Sequence, residues 1–326
     1  MENLLEIKNL NLFFKNEEKE LQALRNINLN FEKGLIHSIV GESGCGKTMT
    51  AMSIMRLLPE NAFIKSGEIF YNKIDLLNLK NKQIRELRGN EIALIPQDPM
   101  TSLNPLYTIK NQLIETIMAH KDVSKTQAMR RIREIMNLVK IPDIDKKLDL
   151  YPHEFSGGMR QRVLIGMSLL CNPELIIADE PTTALDVTVQ KQIMDLIVEL
   201  QKELNFTVIL ISHDLALISN YADTITVMYA GSIVEKTSAK AFFKNPLHPY
   251  SLGLLESLPG YSQNAKLKPI LGAPPSLKDE ISGCKFYPRC KYYEKNLCDN
   301  ETPSLEEKIL NHWCACYKVN ESKASL

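Results

Sequence analysis

Gly41-Glu-Ser-Gly-Cys-Gly-Lys-Thr48 has the residue types and spacing of a phosphate cradle. Glycines at its first and sixth positions let the backbone turn N–H groups inward, against the positive end of a following helix. Lys47 would reach the β- and γ-phosphates of a nucleotide, and the Thr48 hydroxyl would bind Mg²⁺. The flanks suit this chemistry: an apolar run, residues 35–40, precedes the loop, and residues 49–58 keep helical spacing until Pro59 stops them. Asp179 and Glu180 close the apolar run Leu175-Ile-Ile-Ala178, which reads as a buried parallel strand with its acids at the ligand edge. There Asp179 would reach Mg²⁺ through water and Glu180 would polarise an attacking water. Gln97, after the run 91–96, and His213, after the run 206–211, stand at the same kind of strand end. Phe155-Ser-Gly-Gly-Met-Arg-Gln-Arg162 reads as a Gly-Gly turn opening another helix, whose N-terminus supplies a second set of phosphate donors.

Elements are needed to position these groups. Leu5 and Ile7, then Ile27, Leu29 and Phe31, alternate at strand spacing around the charged segment 15–20, and so predict a half-buried antiparallel sheet. Phe13 and Phe14 stand at its turn, where a ring could stack on a base or pack in the core. Residues 66–71 predict another short strand. Ser124 with Gln127 forms a capping box, followed by the apolar stripe Ala128, Ile132, Ile135, Met136 and Val139, with Arg130, Arg131 and Arg133 as a solvated face. A helix over 187–204 leads into the strand before His213, and residues 224–229 and 232–235 predict a closing hairpin around Gly231.

The 326 residues exceed one compact core and imply two domains. Lys+Arg and Asp+Glu both number 39, so the balanced charge points to no nucleic-acid-binding surface. The longest uncharged apolar runs, 163–171 and 207–212, fall well below the roughly 20 residues of a membrane-spanning helix. The opening Met1-Glu-Asn-Leu-Leu-Glu has no export pattern, so the expected compartment is the cytoplasm, where the seven cysteines stay reduced. Proline becomes frequent after Asn245, and Cys284-x₅-Cys290-x₇-Cys298-x₁₇-Cys316 gathers four thiols, with Cys314 as a spare. Four thiolates in a small module can bind zinc or an iron–sulfur cluster, and scattered free thiols are the alternative reading.

The motifs in this order resemble the ATPase subunit of an ABC transporter. Gly41–Thr48 matches the Walker A loop, with Met49 next to it. Gln97 matches the Q-loop, and residues 155–161 the family signature. Residues 175–180 match the Walker B strand, Ala184-Leu-Asp186 the D-loop, and His213 the switch histidine. Phe14 fits the aromatic A-loop position, with Phe13 as the alternative. Phe155 and Met159 replace the ends of the common L-S-G-G-Q. With residues 95–105 and His248-Pro-Tyr250, they make the chain similar to the ATPases of oligopeptide, dipeptide and nickel importers.

That resemblance implies an α/β fold. A P-loop (RecA-like) parallel sheet core carries an antiparallel β subdomain, an α-helical signature subdomain over about 98–165, and a small Cys-rich C-terminal module. The ATPase domain would span 1–245 and the module 246–326. It implies ATP and Mg²⁺ as cofactors. Glu42, Ser43, Gly44, Cys45 and Gly46 join Phe14, Gly41, Lys47, Thr48 and Met49 around the nucleotide. Thr48, Gln97 and Asp179 serve Mg²⁺, and Glu180, His213, Gln97 and Lys47 serve hydrolysis. Ser156, Gly157, Gly158 and Asp186 would face the nucleotide of a second, head-to-tail ATPase, either a copy or a paralogue. Two permease subunits and a substrate-binding protein complete the implied assembly at the cytoplasmic face of the inner membrane. In the same family some members carry a [4Fe–4S] cluster, and the resemblance favours Cys284, Cys290, Cys298 and Cys316 as its ligands. A soluble ABC-type ATPase acting on nucleic acid or ribosomes is the alternative. It usually carries two halves or a long coiled coil, and neither is present. A P-loop kinase or GTPase leaves the signature and the D-loop unexplained.

Overall fold

The computed structural model describes residues 2–16, 19–183, 185–258 and 269–319. They form two compact units, Met1–Leu77 with Ile211–Leu326, and Asn78–Leu210.

In the first unit, strands Asn3–Lys15 and Glu20–Glu32 pair antiparallel, with Leu5 opposite Phe31 and Ile7 opposite Leu29. Leu5, Ile7, Ile27, Leu29 and Phe31 are each at most 1% exposed, so the predicted alternation does face a core. The strand predicted from Ser66 begins at Ala62 and runs to Tyr71 along the other edge of Asn3–Lys15. A second sheet holds Ile36–Val40, every residue of it buried, paired in parallel with Thr224–Tyr229. Thr224–Tyr229 turns back into Ser232–Ser238 through Ala230 and Gly231, both at positive φ, the two-residue turn that matches strand twist. The helix after the glycine loop covers Lys47–Met55. It ends before Pro59 because Arg56 already adopts the left-handed conformation.

The second unit contains a parallel pair, Ile92–Ile95 with Leu175–Asp179, and the strand Thr207–Ser212, which starts in this unit, neighbours the latter. Its helical part includes Ile109–His120, Lys125–Leu138 and Gly157–Leu169. Ser124 and Gln127 form the expected capping box, and Ala128, Ile132, Ile135, Met136 and Val139 are buried. One expectation needs correction. Arg130 and Arg133 face solvent, but Arg131 donates to the carbonyls of Leu169 and Leu170 and to Asn172. It caps the end of the Gly157–Leu169 helix, where a cation meets the negative pole. The helix Val187–Leu204 matches its predicted span.

The proline-rich C-terminal segment, expected as a module of its own, is built into the first unit. Strand His312–Cys314 adds antiparallel to Ser232–Ser238, and Glu306–Ile309 adds to it in turn. Glu235, with a fully buried side chain, accepts from the backbone N–H groups of Leu247 and His248, each at 2.8 Å, and lies 2.6 Å from His312 Nε2. His248 Nδ1 in turn accepts from the Tyr250 N–H at 3.1 Å. Burial pushes the His248 imidazole down to about 4 from its ordinary 6.5, against the nearby Glu235 charge. A folded-state value below the unfolded one means that neutral His248 stabilises the fold fully above about pH 6.5. That contribution is lost as pH falls towards 4, by up to about 3 kcal/mol. His248→Asn keeps an acceptor for the Tyr250 N–H and cannot titrate. In urea unfolding between pH 7 and 4.5, wild type is therefore expected to lose stability faster than this variant; parallel profiles would show that His248 is not buried neutral.

Candidate functional site

The glycine loop is shaped by close approaches that leave no room for side chains. A Cβ on Gly41 would lie 2.2 Å from the Met228 carbonyl oxygen and 2.7 Å from Cys45 Sγ. Gly46, at φ 110°, would drive a Cβ to 2.7 Å from Leu24 Cδ2. Lys47 is buried, and its ammonium donates to the carbonyls of Gly41 at 2.8 Å and Glu42 at 3.0 Å. The helix behind it starts without a side-chain cap and with no acid in its first turn, so its positive pole faces the loop uncountered by a capping side chain. Ser43, Gly44 and Thr48 are exposed and Met49 is half-buried, while burial pushes the Cys45 thiol up and keeps it protonated.

Tyr250 and Arg289, far from the loop in sequence, hold it in place. The Glu42 N–H donates to Tyr250 Oη at 2.9 Å. The Glu42 carboxylate takes both arms of Arg289, Nη1 at 2.6 Å and Nη2 at 2.9 Å. The rings of Tyr229 and Tyr250 lie 4.6 Å apart. Phe13 stacks on Phe63 at 6.1 Å with the Lys65 ammonium 4.8 Å from its ring, whereas Phe14 is half-buried on the same strand. His213 is exposed directly after Thr207–Ser212, next to Asp214, whose carboxylate caps Leu215–Ile218.

The second unit carries the acids and the second glycine pair. Asp179 ends its strand at 3% exposure. Glu180 follows at φ 46°, a left-handed conformation that costs about 1–3 kcal/mol for a bulky residue and that re-aims its side chain. Gln97 Nε2 at 2.9 Å and Thr183 Oγ1 at 2.8 Å both donate to Glu180 Oε2. The exposed Gln97 is thus joined to the acid that sequence placed beside it. Ser156 caps the Gly157–Leu169 helix by accepting from the Met159 N–H. Gly157 and Gly158 are helical rather than a turn. They are small because Leu185 and Val189 pack against them: a Cβ on Gly158 would sit 2.7 Å from Val189 Cγ1. Phe155 is buried, with the Lys147 ammonium 5.6 Å from its ring. Asp186 caps Val187–Leu204 through the Val189 N–H at 3.0 Å, and Ala184 lies outside the described residues. Of the Mg²⁺ candidates, Thr48 belongs to the first unit, and Gln97 and Asp179 to the second.

Cys284, Cys290, Cys298 and Cys316 line one apolar cavity of about 20 Å³ with Phe286 and Tyr287. Burial pushes Cys290 up to about 11 and Cys316 up to about 12, and raises Cys284 and Cys314 as well. Among the described residues no group of three or more His, Cys, Asp or Glu could hold a metal ion. The expected iron–sulfur or zinc centre is therefore not supported.

Residues 24–183 match the ABC transporter family, and residues 234–298 the C-terminal region of oligopeptide/dipeptide transporters. The dipeptide transport ATP-binding protein DppD of Bacillus subtilis is 44% identical, over 97% of this chain and 95% of its own. The oligopeptide transport ATP-binding protein OppD of Salmonella typhimurium is also 44% identical, over 98% of this chain and 94% of its own. The chain belongs to the ATP-binding proteins of ABC transporters. Its fold agrees. A post-hydrolysis dimer of the ATP-binding cassette MJ0796, bound to ADP and Pi, superposes with a TM-score of 0.65 at 27% identity, covering 72% of this chain and 98% of that one. CbiO1 from Clostridium perfringens, part of the transporter complex cbiONQ, gives 0.64 at 27% identity, covering 75% and 92%. This ABC ATPase hydrolyses ATP in the service of transport, and such relatives do not favour a nucleic-acid or ribosome ATPase. Among the described residues no helix is long and apolar enough to cross a membrane.

The 2.2 Å approach at Gly41 makes a direct test of the loop. Gly41→Ala in this ABC ATPase is expected to weaken Mg·ATP roughly tenfold or more in calorimetry, because the clash is with backbone that cannot yield cheaply. Unchanged affinity would show that the loop's start does not set the phosphate site.

Proposed function

We propose that this chain is the ATP-hydrolysing subunit of a peptide importer, bound peripherally at the cytoplasmic face of the inner membrane. The observation that carries the reading is the match of nearly the whole chain, C-terminal region included, to peptide-transport ATP-binding proteins. Those relatives favour dipeptides or longer peptides over nickel as cargo. The partners in this reading are two permease subunits, a substrate-binding protein and a second ATPase, a copy or a paralogue, with dimeric cassettes among the similar structures in support.

In this reading the loop Gly41–Thr48 holds the β- and γ-phosphates with Lys47, and Phe14 stacks on the base. Thr48, Gln97 and Asp179 serve Mg²⁺, directly or through water, which would neutralise charge developing on the phosphates. Glu180 accepts a proton from the attacking water, steadied by Gln97 and Thr183, and His213 faces the γ-phosphate. Ser156, Gly157, Gly158 and Asp186 act on the partner's nucleotide, so hydrolysis requires the closed dimer. A metal centre at the tail cysteines has no part in this scheme, since the thiols are placed without a metal-holding group among the described residues.

Uptake of a labelled peptide by vesicles bearing the assembled transporter tests the cargo: ATP-dependent peptide uptake is expected, and nickel uptake without peptide uptake would replace it. Glu180→Gln should keep Mg·ATP binding, slow phosphate release at least a hundredfold and accumulate as a dimer in light scattering, since an amide takes no proton. Near-normal turnover would remove Glu180 from the role. Ser156→Arg should leave nucleotide binding to the single subunit intact and abolish hydrolysis by the assembled dimer; equal loss of both would contradict a site completed by the partner.

A further inference from the structure

Within the phosphate loop one side chain has the wrong charge for the task. Glu42 is the loop's second residue, its own carbonyl receives the Lys47 ammonium, and its carboxylate is 27% exposed. A carboxylate on this loop repels a triphosphate, all the more where protein displaces water. The structure answers that charge from the far end of the chain. Arg289 is 5% exposed and grips both carboxylate oxygens, at 2.6 and 2.9 Å. Its Nε donates to the Leu271 carbonyl at 3.0 Å and its Nη1 to Tyr229 Oη at 3.3 Å, so the guanidinium plane is fixed by groups other than Glu42. The paired carboxylate holds the guanidinium charged, well above its ordinary range. Tyr250 Oη takes the Glu42 N–H, which secures the backbone of the same residue.

We propose that Arg289 is a positioning residue of the nucleotide site: it neutralises and orients Glu42 so that the loop can accept a polyphosphate. The proposal rests on the reading of Gly41–Thr48 as the ATP loop. It adds that the C-terminal segment sets how tightly that loop binds. Removing the guanidinium leaves an unpaired carboxylate beside the phosphates, and removing the carboxylate as well takes away the reason for the guanidinium. A purely structural Arg289 has no such dependence on Glu42.

The experiment measures Mg·ATP affinity of the full chain by calorimetry, with the melting temperature of each variant alongside. R289M is expected to weaken Mg·ATP roughly tenfold or more, and AMP, with its single phosphate, less. E42Q/R289M should bind Mg·ATP at least about fivefold more tightly than R289M, although it lacks the same contact. R289K, which keeps the charge and loses the fork, should also bind more tightly than R289M. Affinity in R289M like that of wild type, or a double variant as weak as R289M, would overturn the proposal. Should R289M fail to fold, R289K and the double variant decide it. Equal affinity in those two and wild type supports charge neutralisation, and a tenfold loss in both would overturn it. Lys47→Ala serves as control: if it binds Mg·ATP as wild type does, the ATP-loop reading has failed and not the role of Arg289.

Discussion

Three donors converge on the buried Glu235 carboxylate, and from that convergence a chain of hydrogen bonds runs to the glycine loop. A carboxylate with no exposure is tolerated only when its lone pairs are filled, here by the N–H groups of Leu247 and His248 and by His312. The same three contacts fix strand His312–Cys314 and the start of helix Pro249–Glu256 against strand Ser232–Ser238. Once His248 is fixed, its Nδ1 holds the Tyr250 N–H, and Tyr250 Oη then receives the Glu42 N–H. A buried ion 193 residues from the loop in sequence (235 − 42) thus reaches it in three hydrogen-bonded steps.

The two units use different devices to aim their chemistry. In the first, glycine removes side-chain atoms so that backbone can come close, as at Gly41 against Met228. In the second, Glu180 keeps its side chain and takes a left-handed conformation, held there by donors from Gln97 and Thr183. Glycine would adopt that conformation more cheaply but would carry no carboxylate to receive the Gln97 and Thr183 donors. Gly157 and Gly158 follow a third logic. Their smallness serves the packing of Val189 and Leu185, which places the Ser156 cap on the end of a close-packed helix pair.

Sequence spacing made the local features legible. The glycine loop, the Ser124–Gln127 box, the acids after an apolar strand and the helix Val187–Leu204 each encode their geometry within a few residues. Arg131 was misread because charge spacing on a helix says nothing about a helix end lying beside it. Arg289 carried no signal at all, since a pairing across 247 residues leaves no periodic trace. Tyr250 was visible only as part of a family resemblance, not as a loop contact. The four tail cysteines do share a cavity, but sequence spacing carries no information on what that cavity holds.

The match to the ABC transporter family ends at residue 183, and Glu42 lies inside it; Tyr250 and Arg289 lie inside the separate match to the peptide-transporter C-terminal region. The ion pair between Glu42 and Arg289 is therefore a contact between what two family descriptions treat as distinct parts. Neither part alone satisfies it. A loop bearing Glu42 without the C-terminal segment would leave its carboxylate without the guanidinium, and the segment without that loop would bury a guanidinium lacking its counter-ion, each costly in a largely dehydrated place. The pairing gives a physical reason for the C-terminal segment to be built into the first unit's sheet rather than tethered beside it. A segment paired into the sheet holds both arms of Arg289 within 3 Å of the Glu42 carboxylate with little freedom to drift.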